Sequence, residues 1–124
     1  MKLSAARIFV HDLKAAHEFY AGRLGLPRTA GGPALDYFVY DAGPVQLVVE
    51  AVAPEAPEDE HALVGRFTGL SFAVPDIQAR YRELLALGVH FTAAPQKQAW
   101  GGMLATFTDP SDNQLQLVEA DRAA

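Results

Sequence analysis

The sequence predicts an α+β fold made of two tandem βαβββ modules, and three observations carry that prediction. The chain repeats itself: Ile8-Phe9-Val10-His11-Asp12-Leu13 is echoed by Phe72-Ala73-Val74-Pro75-Asp76-Ile77 at an offset of 64. Leu24-Gly25-Leu26 is echoed by Leu87-Gly88-Val89 at 63, and Val45-Gln46-Leu47-Val48 by Leu115-Gln116-Leu117-Val118 at 70. Self-similarity in conserved order is the mark of a duplicated supersecondary unit. Each copy also reads as a strand, then a helix, then several strands. Finally, 124 residues with half of them hydrophobic suffice for a core that needs no staples.

In the first copy Ile8 and Val10 alternate with Arg7 and Phe9, the period of two of a half-buried strand. Asp12 stands where a helix N-cap belongs, its carboxylate able to accept from the orphan backbone N–H groups of the first turn. Leu13, Ala16, Tyr20 and Leu24, with Phe19 beside them, form an apolar stripe at helical spacing, and Gly25 is a natural stop. Tyr37–Tyr40 and Gln46–Val49 are β-rich runs separated by Asp41-Ala42-Gly43-Pro44, a turn composition. Residues 53–65, with Pro54, Pro57 and the acidic Glu58-Asp59-Glu60, read as a solvated linker. In the second copy Leu70, Phe72 and Val74 alternate with Gly69, Ser71 and Ala73. Asp76 caps a helix carrying Ile77, Tyr81, Leu84 and Leu85 that ends at Gly88. His90–Thr92, Leu104–Thr108 and Gln114–Val118 complete it as strands. A single domain over 1–124 is expected, with module one at about 1–52, the linker at about 53–65 and module two at about 66–120.

Composition narrows the function. No cysteine means no disulfide framework, thiolate metal site or thiol nucleophile. A net charge of −5 argues against nucleic acid or an anionic membrane as partner. No apolar run approaches the roughly 20 residues of a spanning helix, and Lys2 is followed by no apolar signal segment. A cytoplasmic protein is expected. Neither a phosphate-binding glycine loop nor a nucleophile elbow is present.

The pattern Val10, Asp12, Leu13, Phe19, Tyr20, Leu24, Gly25 and Leu26, joined by Trp100-Gly101-Gly102 and Asp109-Pro110-Ser111-Asp112-Asn113, resembles the vicinal oxygen chelate superfamily. That superfamily includes glyoxalase I, extradiol dioxygenases and the bleomycin-resistance proteins. Asp112 stands where the family usually has Gly, and Asp tolerates the left-handed backbone such a turn needs. The resemblance implies two βαβββ modules forming a curled mixed sheet around a shared cavity, helices on the outer face, and a homodimer.

The resemblance also implies where a catalytic divalent ion would be held: seven residues before each helix-capping Asp, and on the later strand of each half. Those positions are Ala5, Gly69, Gln46 and Gln116. Ala and Gly offer no donor, and a neutral amide is a weak ligand for such ions, so neither metal nor cofactor is expected. His11, His17, His61 and His90 show no ligand spacing and read as surface or structural groups.

The strand face left over mixes aromatic, amide and charged groups, while the opposite face is uniformly apolar. This points to a small-molecule pocket with Arg7, Phe9, Gln46, Glu50, Ser71, Trp100 and Gln116 as ligand-binding candidates. Trp100 either stacks on a flat ligand or pins its own loop. Arg7 either orients a ligand or only pairs with Glu50. Gln46 and Gln116 either contact ligand or hydrogen-bond to each other or to water. The leading expectation is a protein that sequesters a small aromatic or amphipathic molecule, close in character to the bleomycin-resistance branch. The rival is a lyase, isomerase or dioxygenase, using a displaced metal or Glu50 as an acid–base group. A third reading makes the chain an accessory module whose dimer surface is the function.

Overall fold

The computed structural model describes residues 1–121. Its strands form two mixed sheets and its contacts divide the chain into two compact units, the first comprising residues 1–66 with 110–113 and the second 67–109 with 114–121.

In the first unit β1 (Ala5–Val10) lies parallel to β4 (Gln46–Ala51), which pairs antiparallel with β3 (Tyr37–Asp41), which in turn pairs with β2 (Arg28–Gly32). Between β1 and β2 the chain forms α1 (Leu13–His17), whose start Asp12 caps through a carboxylate accepting from the Ala15 N–H at 3.0 Å. The helix then widens into a π-helical turn over Glu18–Arg23 that buries Phe19 and Tyr20. Parity follows the expectation. Ile8, Val10, Leu47 and Val49 are all 2% exposed or less and lie under the helix with Ala16, Phe19 and Tyr20. Full burial of each large apolar side chain contributes about 1.5–3 kcal/mol, which holds the helix on its sheet. The linker is not featureless. Pro57 followed by three acidic residues opens a four-residue helix, α2 (Glu58–His61), and acidic side chains there complement the helix dipole. Val64 then makes an isolated parallel bridge with Phe9.

In the second unit β5 (Phe67–Ala73) runs parallel to β9 (Gln114–Glu119). Next comes β8 (Met103–Thr108), flanked by the two short strands β6 (His90–Phe91) and β7 (Gln96–Lys97). The second sheet thus has one strand more than the first. Helix α3 (Ile77–Ala86) is capped by Asp76, which accepts from the Ala79 N–H at 3.1 Å, and it packs on β8 and β9 through Ile77 and Leu84, both fully buried. Glu119 points to that side as well, its carboxylate accepting from the Ile77 N–H at 3.0 Å.

The turn joining β8 to β9 carries Asp112 in the left-handed region at φ 64, so the family turn survives the replacement of Gly. Its Asn113 is 1% exposed. The side-chain oxygen accepts from the Gly65 and Arg66 N–H groups at 2.9 and 3.2 Å, and its amide donates to the Phe9 carbonyl at 2.8 Å. Among the described residues no helix is long and apolar enough to cross a membrane.

Candidate functional site

Parity sends Arg7 and Phe9 of β1 and Glu50 of β4 to the sheet face away from α1, and register sets Phe9 directly opposite Glu50. The three side chains form one cluster. The Arg7 guanidinium donates to both Glu50 oxygens, Nε at 2.5 Å and Nη2 at 3.0 Å, and lies 5.1 Å from the Phe9 ring centre. The two-pronged geometry is the one a planar fork offers a carboxylate. The Glu50 hydrogen bond, reinforced by its charge, raises the Arg7 pKa further above its already high ordinary value.

This cluster forms one side of a recess of about 340 Å³ lined by Arg7, Phe9, Glu50, Ala51, Val52, Glu60 and Leu63. Sequence reasoning missed Glu60 and Leu63, because the linker was read as solvated. The available signal was Pro57 ahead of an acidic triplet, which is helix-start chemistry, followed by the lone apolar Leu63 and Val64. Phe9, Val52 and Leu63 supply apolar wall, while one cation faces two carboxylates, giving the recess a formal charge of −1. Gln46 does not join this group. It lies four residues from Glu50 along β4, opposite Ala5, and lines a second depression of about 360 Å³ with Lys2, Ser4, Thr29 and Asp41.

The second unit holds the other three candidates. Gln116 spans its sheet face, its oxygen accepting from the Ser71 hydroxyl at 3.4 Å and its amide donating to the Thr106 hydroxyl at 3.2 Å. Trp100 sits apart from them in the turn between β7 and β8, 53% exposed. Its indole lies so close over Gly102 that a Cβ there would fall 1.9 Å from a ring carbon. The glycine is therefore what lets the ring lie down, and the Trp-Gly-Gly spacing reflects that packing.

Over residues 2–117 the chain matches the family described as the Glyoxalase/Bleomycin resistance protein/Dioxygenase superfamily. The chain belongs to this superfamily. It is 30% identical to the uncharacterized protein YraH of Bacillus subtilis (strain 168), across 96% of this chain and 98% of that one. A solved structure of a superfamily member from Sphaerobacter thermophilus DSM 20745 superposes with a TM-score of 0.79 at 31% identity, covering 97% of this chain and 98% of the other. TnmS3, an antibiotic binding protein from Streptomyces sp. CB03234, shares the fold with a TM-score of 0.75 at 24% identity over 96% and 95% of the two chains.

The superfamily's implied metal positions can be placed on this backbone. Ala5 pairs with Gln46, as the duplication requires. In the second unit, four steps along β5 from Phe67 to Ser71 match only two along β9, from Gln114 to Gln116. The excess is a bulge at Gly69, which sits at φ 73, a conformation glycine adopts without steric cost. Register thus puts Ser71, rather than Gly69, opposite Gln116. The first unit thus offers Ala5 with Gln46 and the second Ser71 with Gln116; neither pair holds an imidazole or carboxylate, and such donors do not fit a divalent ion of the kind the superfamily's enzymes use. Among the described residues no three His, Asp or Glu side chains gather into a group that could hold a metal.

The histidines are placed as follows. His17 stacks on Phe38 at 4.1 Å and its Nδ1 lies 2.7 Å from the Tyr40 hydroxyl, a structural role. His90 is exposed opposite Thr108. His11 and His61, separated by fifty positions in sequence, meet.

Proposed function

We propose that this protein is a small-molecule binding protein that holds its ligand without turning it over, and that the ligand seats in the recess of the first unit. The observation that carries this reading is the combination of an aromatic side chain, Phe9, with a charge pair fixed beside it, the Arg7 guanidinium lying over the ring, inside a volume in the range of small-molecule sites. Phe9, Val52 and Leu63 contribute apolar contact, and the oriented charged groups give selection. With two carboxylates facing one guanidinium, the recess favours an aromatic or amphipathic molecule bearing a cationic group over an anionic one. The shared fold with an antibiotic binding protein is consistent with such a use. Ser71, Trp100 and Gln116 enter this reading as further ligand contacts, and the homodimer implied by the family enters as its assembly, to be checked by sedimentation.

The enzyme alternative has less support. Glu50, its candidate acid–base group, has both oxygens engaged by Arg7. The metal positions offer two amides and a hydroxyl at most. The test is a thermal-shift and equilibrium-dialysis screen of aromatic amines beside matched aromatic acids. Amines are expected to protect the protein, and Phe9→Ala to abolish that protection while leaving the fold intact. No protection by any compound, or protection indifferent to Phe9→Ala, overturns the reading.

A further inference from the structure

The His11–His61 pair is unused by the recess and unforeseen in the sequence. Nε2 of His11 lies 3.2 Å from Nδ1 of His61, with ring centres 5.3 Å apart and ring planes inclined by 41°. A hydrogen bond between two neutral imidazoles has this length, and so has the edge between two imidazoles on one metal ion. With zinc–nitrogen bonds of about 2.05 Å, a 3.2 Å separation subtends about 103° at the ion, close to the tetrahedral angle zinc prefers. His11 is exposed and His61 half-buried, so water can reach the remaining coordination positions. Glu58, Asp59 and Glu60 on the same short helix as His61 add negative potential that draws a cation towards the pair.

We propose that His11 and His61 form a two-imidazole site for Zn²⁺ on the surface of the first unit, completed by water. Imidazole donors select zinc and its late first-row neighbours over magnesium and calcium, which require oxygen ligands. The site uses none of the four positions where superfamily enzymes hold their metal. It also has a mechanical consequence. His11 directly follows β1 and His61 ends α2, so the ion ties α2 to the sheet and steadies the wall to which Glu60 and Leu63 contribute.

The experiment uses the full chain and Zn²⁺ alone, so its outcome is independent of whether the recess takes an organic ligand. Equilibrium dialysis with metal analysis is run on wild type, His11→Ala, His61→Ala, His17→Ala and His90→Ala, with circular dichroism confirming that each variant is folded. Wild type is expected to take up one Zn²⁺ per chain. His11→Ala and His61→Ala each weaken binding about tenfold or more, since each removes half the protein ligands, whereas His90→Ala binds as wild type. Should His17→Ala lose structure, His90→Ala remains the control. As a second readout, Zn²⁺ slows amide exchange across residues 57–64 in wild type but not in His61→Ala. Absence of zinc uptake by wild type, or uptake that survives both His11→Ala and His61→Ala, overturns the proposal.

Discussion

Asn113 offers the sharpest test of how the first unit is held together. Its side chain, 1% exposed, hydrogen-bonds to backbone groups of two distant segments, accepting from Gly65 and Arg66 and donating to Phe9. Asn113→Ala removes these three bonds. At about 1 kcal/mol net for each bond, with an added cost for any backbone group that water cannot reach, the loss is about 3–4 kcal/mol. Gly65 and Arg66 are exposed, so water can re-solvate their N–H groups, and this keeps the figure from rising further. Unfolding entropy of about 2.1 cal/mol/K per residue over a chain of this length makes each kcal/mol worth about 4 °C. The melting temperature of Asn113→Ala should therefore fall by about 12–16 °C. Asn113→Asp separates the contributions: it keeps both accepted bonds but turns the donor facing the Phe9 carbonyl into an acceptor. It should lie between wild type and Asn113→Ala in calorimetry and chemical denaturation. A loss below about 1 kcal/mol for Asn113→Ala would falsify the bookkeeping, because desolvation of the amide would then offset nearly all its bonding.

Two other predictions concern packing and pH. In Gly102→Ala the new methyl would meet the Trp100 ring at 1.9 Å and the Glu119 carbonyl oxygen at 2.5 Å, so the indole must lift. A cost of about 1–3 kcal/mol is expected. Trp100 is the single tryptophan, so its emission should shift to the red as well, whereas an unchanged spectrum and midpoint would contradict the packing. Tyr40 is fully buried, and burial pushes its phenol up to about 12 against the opposing pull of Arg28. Because the folded-state pKa lies above the ordinary value of about 10, the resulting stability is fully present below pH 10 and is lost as pH rises through about 12. Two units correspond to about 2–3 kcal/mol. Unfolding midpoints from pH 9 to 12 should fall more steeply for wild type than for Tyr40→Phe, and parallel curves would refute the assignment.

Much of this architecture was legible in the residues because local rules dictate it. The capping carboxylates of Asp12 and Asp76 accept from the amides three positions on, as their spacing requires. The alternation that sends Ile8, Val10, Leu47 and Val49 to the core and Arg7, Phe9 and Glu50 to the other face follows from the two-residue period of a strand. Family membership was legible for the same reason: duplicated caps, helix stops and turn residues recur in order. Local rules fail where the deciding partner is remote. The bulge at Gly69 moves the pairing of β5 by two residues, and counting back from Asp76 cannot detect that shift. Helix α2 is too short for periodicity to register, so its part in the recess was invisible.

What the sequence determined by itself, then, was fold class, caps and core face, all properties of residue type and short-range spacing. Only the tertiary structure decided that Arg7, Phe9, Glu50, Glu60 and Leu63 line one recess. It alone showed that Trp100 lies on Gly102 and that His11 meets His61. The recess and the histidine pair join residues fifty or more positions apart, and chain folding, unlike helix or strand periodicity, leaves no mark on the spacing of residues it brings together from such distances.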